Sequence, residues 1–133
     1  MRAVLDPNIL ISALLSPRGA PAEIVVRWLR GEFELVVSER LLDELGRALA
    51  YPKLRAHVTE DEASGFVSLL RRAAFFASDP PGGAHRSMDP ADDCLLALAE
   101  AERAVIVSGD RHLLELGDLP IQSARAFLDR LPG

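Results

Sequence analysis

The segment Arg2-Ala3-Val4-Leu5-Asp6 (RAVLD) is a short apolar run that ends on an acid, and it decides how the chain is interpreted. Its length and branched side chains predict a buried β-strand. Similar runs recur downstream, separated by amphipathic stretches, and predict strands at Phe33–Val37, Ala74–Ala77, Ala104–Val107 and Pro120–Gln122. Strands that alternate with helices imply βαβ crossovers. We therefore expect an α/β fold, a three-layer α/β/α sandwich with a central parallel sheet.

Capping signals predict the helices between these strands. Ser38 caps a helix that Pro52 stops, and Thr59 with Glu62 forms a capping box at the start of another. The predicted helices cover Asn8–Leu15, Pro21–Gly31, 38 to about 50, 59 to about 72, Asp89–Arg103, a short turn after Asp110, and Ser123–Leu131, with a loop at 79–88.

Length and charge limit the classes of protein to consider. A chain of 133 residues fits a single domain, 1–133, and 49% hydrophobic residues are enough for a core, which excludes disorder. The formal net charge of -5 and the pI near 5.2 exclude a generic basic nucleic-acid coat. If the protein acts on nucleic acid, its acids must be neutralised locally, usually by a divalent metal. Arginine supplies nearly all the basic charge, which suggests a GC-rich bacterial genome.

Other features exclude further classes. Cys94 is the single cysteine in the sequence, so neither a disulfide framework nor a cysteine-based zinc site is expected, and the histidines lack metalloprotease spacing. The sequence has no signal-peptide pattern and no apolar run near the roughly 20 residues that cross a bilayer. We expect a cytoplasmic protein with no membrane partner, in which Cys94 is a small buried hydrophobe.

Two acids lie where predicted strands end. Asp6 terminates the first strand, and Asp110 follows Ala104–Val107 across Ser108 and Gly109. Ligands of open α/β sheets bind outside the carboxyl ends of the strands, so the two carboxylates converge if these strands are neighbours. Taken alone, each acid is better explained as a turn or helix-capping residue.

Helix phase adds Glu44 and Asp92. Glu44 lies at the edge of its helix's apolar stripe, and Asp92 falls on an apolar face from which Asp93 points away. Simpler explanations exist: a boundary glutamate that reaches water, and a first-turn acid of a helix capped by Asp89. An inward carboxylate is costly unless it is paired or metal-bound, which favours Asp92 for a functional role. Asp89 and Asp93 remain alternatives for that role.

These four acids together indicate a metal site. Without a cation, Asp6, Glu44, Asp92 and Asp110 would repel one another and their pKa values would rise. Hard oxygen ligands suit Mg²⁺ or Mn²⁺, and carboxylate clusters that hold such ions are typical of phosphodiester hydrolysis.

Four segments resemble, in order, the motifs of PIN-domain nucleases. They are residues 4–14 (VLDPNILISAL), 38–54 (SERLLDELGRALAYPKL), 89–100 (DPADDCLLALAE) and 105–114 (VIVSGDRHLL). The resemblance runs nearly end to end, and it is strongest to the bacterial group of VapC-like toxins of toxin–antitoxin pairs. It implies a Mg²⁺- or Mn²⁺-dependent endoribonuclease, a homodimer, and silencing by a small antitoxin that enters the active-site groove.

The resemblance also implies roles for individual residues. The family's catalytic and metal-binding acids would correspond to Asp6, Glu44, Asp92 and Asp110, the set that strand ends and helix phase select. Asn8 would orient a ligand or Asp6, and Ser108 would form a hydrogen bond near the metal or Asp110. Pro7 departs from the family, where threonine is frequent, and removes a hydroxyl beside Asp6.

Arg18, Arg86 and Arg111 are candidate contacts for RNA phosphates, although a solvated surface explains each of them equally well. Trp28 is expected in the core or at a dimer interface. Two other functions remain open: a non-catalytic PIN-like module that binds RNA or protein, and a phospho-acceptor α/β domain with Asp6 as nucleophile. The phospho-acceptor chemistry requires a second aspartate two residues after Asp6, and this chain has Asn8 there.

Overall fold

The first strand, β1, lies at the centre of the sheet in the computed structural model, which describes residues 1–80, 90–115 and 120–132. Within these ranges the side chains of 90–92, 111 and 112 are not described. Residues 81–88 of the predicted loop at 79–88, including Arg86, and Asp89 lie outside the described residues. The strands are β1 (Arg2–Leu5), β2 (Glu34–Val37), β3 (Phe75–Phe76), β4 (Val105–Val107) and β5 (Ile121–Gln122).

Helices fill the connections between these strands. They are α1 (Pro7–Leu15), α2 (Ala20–Leu29), α3 (Glu39–Leu49), α4 (Pro52–Arg55), α5 (Glu60–Ala73), α6 (Pro90–Glu102), α7 (Arg111–Leu114) and α8 (Ala124–Arg130). Predicted capping signals operate here: the Ser38 hydroxyl accepts from the Leu41 N–H, and Thr59 and Glu62 form the reciprocal capping box. Pro52 does more than stop a helix, since it begins α4, where its missing N–H costs nothing.

The sheet confirms the predicted α/β sandwich. Its strand order is β3-β2-β1-β4-β5, and every pair is parallel. The chain moves outward from β1 to β3, then returns to the other side of β1 to form β4. Because such crossovers are right-handed, the helices of the two halves lie on opposite faces of the sheet. The reversal falls between β1 and β4, which is where ligands of doubly wound sheets bind.

The core forms around β1, where Ala3, Val4 and Leu5 are fully buried. On one face α1 packs against α2 and α3, while α6 packs against β1 and β4. Trp28 is 6% exposed and belongs to the core, and the ring of Phe127 contacts Phe33 edge-on at 5.0 Å between centroids.

No single helix in the described ranges is long and apolar enough to cross a membrane. By length and composition, α1 and α2 qualify only as a pair, and they meet at a bend of 98°. Both helices contribute buried residues to the core.

Candidate active site

Asp6 stands at the carboxyl end of the central strand and caps α1. Its Oδ1 accepts a hydrogen bond from the backbone N–H of Asn8 at 3.0 Å, and Pro7 occupies the first helical turn, where no N–H is needed. The Asp6 residue is only 6% exposed. Asn8 therefore orients Asp6 through its backbone, while the Asn8 residue as a whole is exposed. A capping aspartate and a functional aspartate are here the same residue.

Ser108 joins the ends of β1 and β4. The two strands pair with Leu5 beside Val107, and the Asp6 N–H donates to the Val107 carbonyl at 3.0 Å. This register places the fully buried Ser108 next to Asp6, and its hydroxyl donates to Asp6 Oδ2 at 2.8 Å. The Ser108 Oγ in turn accepts a hydrogen bond from the backbone N–H of Asp110 at 3.0 Å. One hydroxyl thus links the two acids that the sequence places at strand ends.

Glu44 reaches the site from α3. Its helix buries Leu41, Leu42, Leu45 and Leu49, and Glu44 is half-buried beside this stripe. Glu44 lines the same cleft as Asp6, which is where its helix phase predicts it. The space inside the cleft that can hold the centre of a water molecule is small, about 30 Å³, and the cleft opens to solvent.

Three further residues line the cleft: Arg40 and Asp79, which the sequence analysis did not single out, and Cys94, which it did not assign to a site. Asp79 Oδ2 accepts from the backbone N–H of Arg40 at 3.0 Å and so caps the start of α3 from a distant segment. The Arg40 Nη1 donates to Cys94 Sγ at 2.9 Å. The expectation that Cys94 is simply a buried hydrophobe is wrong, because its half-buried thiol faces the cleft and contacts a guanidinium. Asp79 could have been noticed as an acid just beyond the third strand.

An exposed ion pair joins the start of α3 to α5. Both terminal nitrogens of Arg71 on α5 donate to the Glu39 carboxylate, at 2.7 and 3.1 Å. These hydrogen bonds lower the pKa of Glu39 and raise that of Arg71. The Arg71 guanidinium also lies 5.4 Å from the ring centre of Phe76 on β3. Glu39 immediately precedes Arg40, so the pair helps to fix the first turn of α3.

The other candidate residues are placed less completely. Asp92 lies in the first turns of α6, one turn before Leu95, which lines the cleft, and its side chain is outside the described part. Asp93 is half-buried and has interactions of its own. Because the side chain of Asp92 is not described, the role predicted for it stays a prediction. Arg18 is exposed beyond α1, and Arg111 begins α7 without a described side chain.

Within the described residues, no group of three or more histidine, cysteine, aspartate or glutamate side chains is arranged closely enough to hold a metal ion. The side chain of Asp92 is not among these described residues. The described part therefore brings Asp6 together with Glu44 at one cleft, and links Asp6 to Asp110 through Ser108.

The sequence matches a known family over most of its length. The family model for the PIN domain covers residues 2–112, which include Asp6, Glu44, Asp92 and Asp110. The chain belongs to the PIN domain family. This PIN domain is 27% identical over 118 residues to the uncharacterised protein MJ1680 of Methanocaldococcus jannaschii. The matched region covers 89% of this chain and 76% of the relative.

Solved structures share the fold of this PIN domain. VapBC2 from Rickettsia felis, bound to a DNA fragment from its promoter, superimposes with a TM-score of 0.67 at 14% identity, over 92% of this chain and 98% of that chain. VapBC-1 from nontypeable Haemophilus influenzae gives a TM-score of 0.65 at 18% identity, over 94% and 99% of the two chains. At these identities the likeness concerns the fold.

Proposed function

We propose that this PIN domain is a Mg²⁺- or Mn²⁺-dependent endoribonuclease, the toxin of a type II toxin–antitoxin pair. The observation that carries the proposal is the chain of hydrogen bonds from Asp6 through Ser108 to Asp110. It lies between β1 and β4, where the strand order of the sheet reverses. Glu44 lines the same cleft as Asp6. Family membership supports nuclease chemistry for such a constellation of acids.

The donor set fits a hard divalent cation. The carboxylate of Asp6 is buried, and the hydrogen bonds described for it come from two neutral donors, a backbone N–H and a hydroxyl. A buried carboxylate is costly without a positive partner, and each of its oxygens keeps a further lone pair for a ligand. Carboxylate oxygens are the ligands that Mg²⁺ and Mn²⁺ prefer. We assign Asp6, Asp92, Asp110 and Glu44 to this ion.

Each residue has a definite part in the proposed hydrolysis. When bound, the ion would supply an activated water and neutralise charge on the phosphate. Ser108 holds one oxygen of Asp6, and the Asn8 N–H holds the other, so the carboxylate keeps a single orientation. Glu44 would either bind the ion or assist the transfer of a proton from the attacking water. The new P–O bond forms as the bond to the leaving ribose oxygen breaks, and that oxygen gains a proton.

A protein partner is part of the proposal. Two structures that share this fold are VapBC complexes. We infer that a small antitoxin binds this chain at the cleft that holds Asp6, and that two copies of the chain form a homodimer. Cytoplasmic RNA is the substrate on which such a toxin acts.

The first test compares cleavage of a structured RNA by the purified protein in Mn²⁺ and in EDTA, beside Asp6→Asn and Asp92→Asn. We expect cleavage to need the metal and to fall more than about 100-fold in both variants, because even the outer partners of metal ligands are worth 10- to 100-fold. In Asp6→Asn the amide oxygen can accept from the Asn8 N–H, and the amide nitrogen can donate to Ser108. Charged hydrogen bonds are thereby replaced by neutral ones, so the free energy of unfolding should fall by about 1–2 kcal/mol and the fold should be retained.

Asp129→Asn is the matched control, since Asp129 is an exposed acid on α8. It should cleave like the wild type. Cleavage that persists in EDTA, or an Asp6→Asn variant as active as the wild type, would contradict the nuclease proposal. A protein that binds RNA, does not cleave it, and shows no metal binding in calorimetry would support the non-catalytic binding module instead.

A further inference from the structure

We propose that Arg40 binds a backbone phosphate of the nucleic acid in the cleft; this inference rests on the proposed ribonuclease function. Arg40 is not among the arginines that the sequence suggests, which lie near the ends of motifs. It occupies the first turn of α3, one helical turn before Glu44, and lines the cleft together with Glu44 and Asp6.

The backbone of Arg40 is held on both sides. Asp79 accepts its N–H at 3.0 Å, and Ser38 caps the same turn through the Leu41 N–H at 3.3 Å. Beside it, Glu39 is fixed by the ion pair with Arg71. The starting point of the long Arg40 side chain is therefore set, which reduces the entropy lost when its guanidinium binds a ligand.

The guanidinium extends from α3 towards α6, where its Nη1 meets Cys94 Sγ at 2.9 Å. A thiol is a weak acceptor, and this contact engages one of the five N–H donors of arginine. A phosphate oxygen would form a stronger, charge-assisted hydrogen bond in its place, and arginine can hold phosphate through two N–H groups. Arg40 is exposed, so such an exchange needs no opening of the core.

The charge balance of the cleft gives this cation its importance. The described residues that line it carry three carboxylates, on Asp6, Glu44 and Asp79, and a single permanent cation, on Arg40. The whole chain also has a formal net charge of -5. An RNA strand that approaches this surface is repelled unless positive charge meets its phosphates. Among the described lining residues, Arg40 is positioned to provide it.

A purely structural role would make Arg40 a bridge between α3 and α6, and Cys94 allows the two roles to be separated. Cys94→Ala removes the same hydrogen bond but leaves the guanidinium in the cleft. Arg40→Gln removes both the bridge and the charge. Arg40→Lys keeps the charge but loses two-point binding.

The experiment measures binding of a fluorescent single-stranded RNA in a salt series, with every variant made in the Asp6→Asn background. Arg40→Gln should weaken binding about tenfold and reduce the slope of log affinity against log salt by about 0.7, the value of one phosphate contact on a single strand. Arg40→Lys should keep the slope and lose affinity. Cys94→Ala and the control Arg47→Gln, an exposed arginine at the other end of α3, should keep both.

Two results would overturn the inference: an unchanged slope in Arg40→Gln, or an equal loss in Cys94→Ala. Cleavage by the protein with intact Asp6 separates this failure from failure of the proposed function. If metal-dependent cleavage occurs and Arg40→Gln leaves its KM unchanged, the role of Arg40 alone is refuted. If RNA binding depends on Arg40 but no cleavage occurs, the role of Arg40 stands and the nuclease proposal falls. If the protein neither binds nor cleaves RNA, both are overturned.

Discussion

Removal of the Ser108 hydroxyl tests whether the site is held together as the structure indicates. Ser108→Ala deletes the donor to Asp6 Oδ2 at 2.8 Å and the acceptor of the Asp110 N–H at 3.0 Å. Hydrogen bonds to charged groups contribute about 1.5–3 kcal/mol each, and neutral ones about 1 kcal/mol. Ser108 is 0% exposed, so water replaces neither bond easily. We expect the free energy of unfolding to fall by about 2–4 kcal/mol.

Urea denaturation measures this loss directly. With a denaturant slope of about 1–3 kcal/mol/M for a small protein, the midpoint should move down by about 1–2 M. Ser123→Ala is the matched serine control, because its hydroxyl makes a single cap hydrogen bond, to the Ala126 N–H at 3.2 Å. That variant should lose only about 1 kcal/mol. Ser108→Thr keeps the hydroxyl and should keep both hydrogen bonds that Ser108→Ala loses.

A double-mutant cycle identifies the partner of the lost hydroxyl. In an Asp6→Asn background the charged hydrogen bond is already absent, so Ser108→Ala should cost about 1–2 kcal/mol less than it does in the wild type. The reasoning is refuted if Ser108→Ala is equally costly in both backgrounds. It is also refuted if the single variant loses less than about 0.5 kcal/mol.

Two further predictions concern the stability of parts of the fold that do not line the cleft. Phe127→Ala removes a fully buried ring that contacts Phe33, and it should lower the free energy of unfolding, measured by urea denaturation, by about 3–5 kcal/mol. The variant will not fold if the wild-type protein is less stable than this loss. The Thr59 N–H holds the pKa of Glu62 below its usual range, so the capping box contributes fully above that range and its contribution disappears as the pH falls through the lowered pKa. Glu62→Gln should therefore lower the melting temperature at neutral pH and have no effect in strong acid; the opposite dependence would contradict the pKa direction.

The sequence by itself determined the order of the elements and the position of several site residues along them. Apolar runs marked the five strands, and the capping signals at Ser38 and Thr59 marked two helix starts, because these are local properties of the chain. The phase of α3 placed Glu44 at the edge of a buried stripe, and the structure places it at the cleft. The face on which a side chain lies follows from the residue repeat of its own strand or helix.

Only the tertiary structure decided which elements are neighbours. The link from Asp6 through Ser108 to Asp110 requires β4 to pair with β1, and the chain order of the strands is consistent with other arrangements of the sheet. Asp79 and Cys94 likewise meet Arg40 from distant segments. Local periodicity shows which way a side chain faces on its own element, but contacts between elements depend on how all of them bury their apolar surface together.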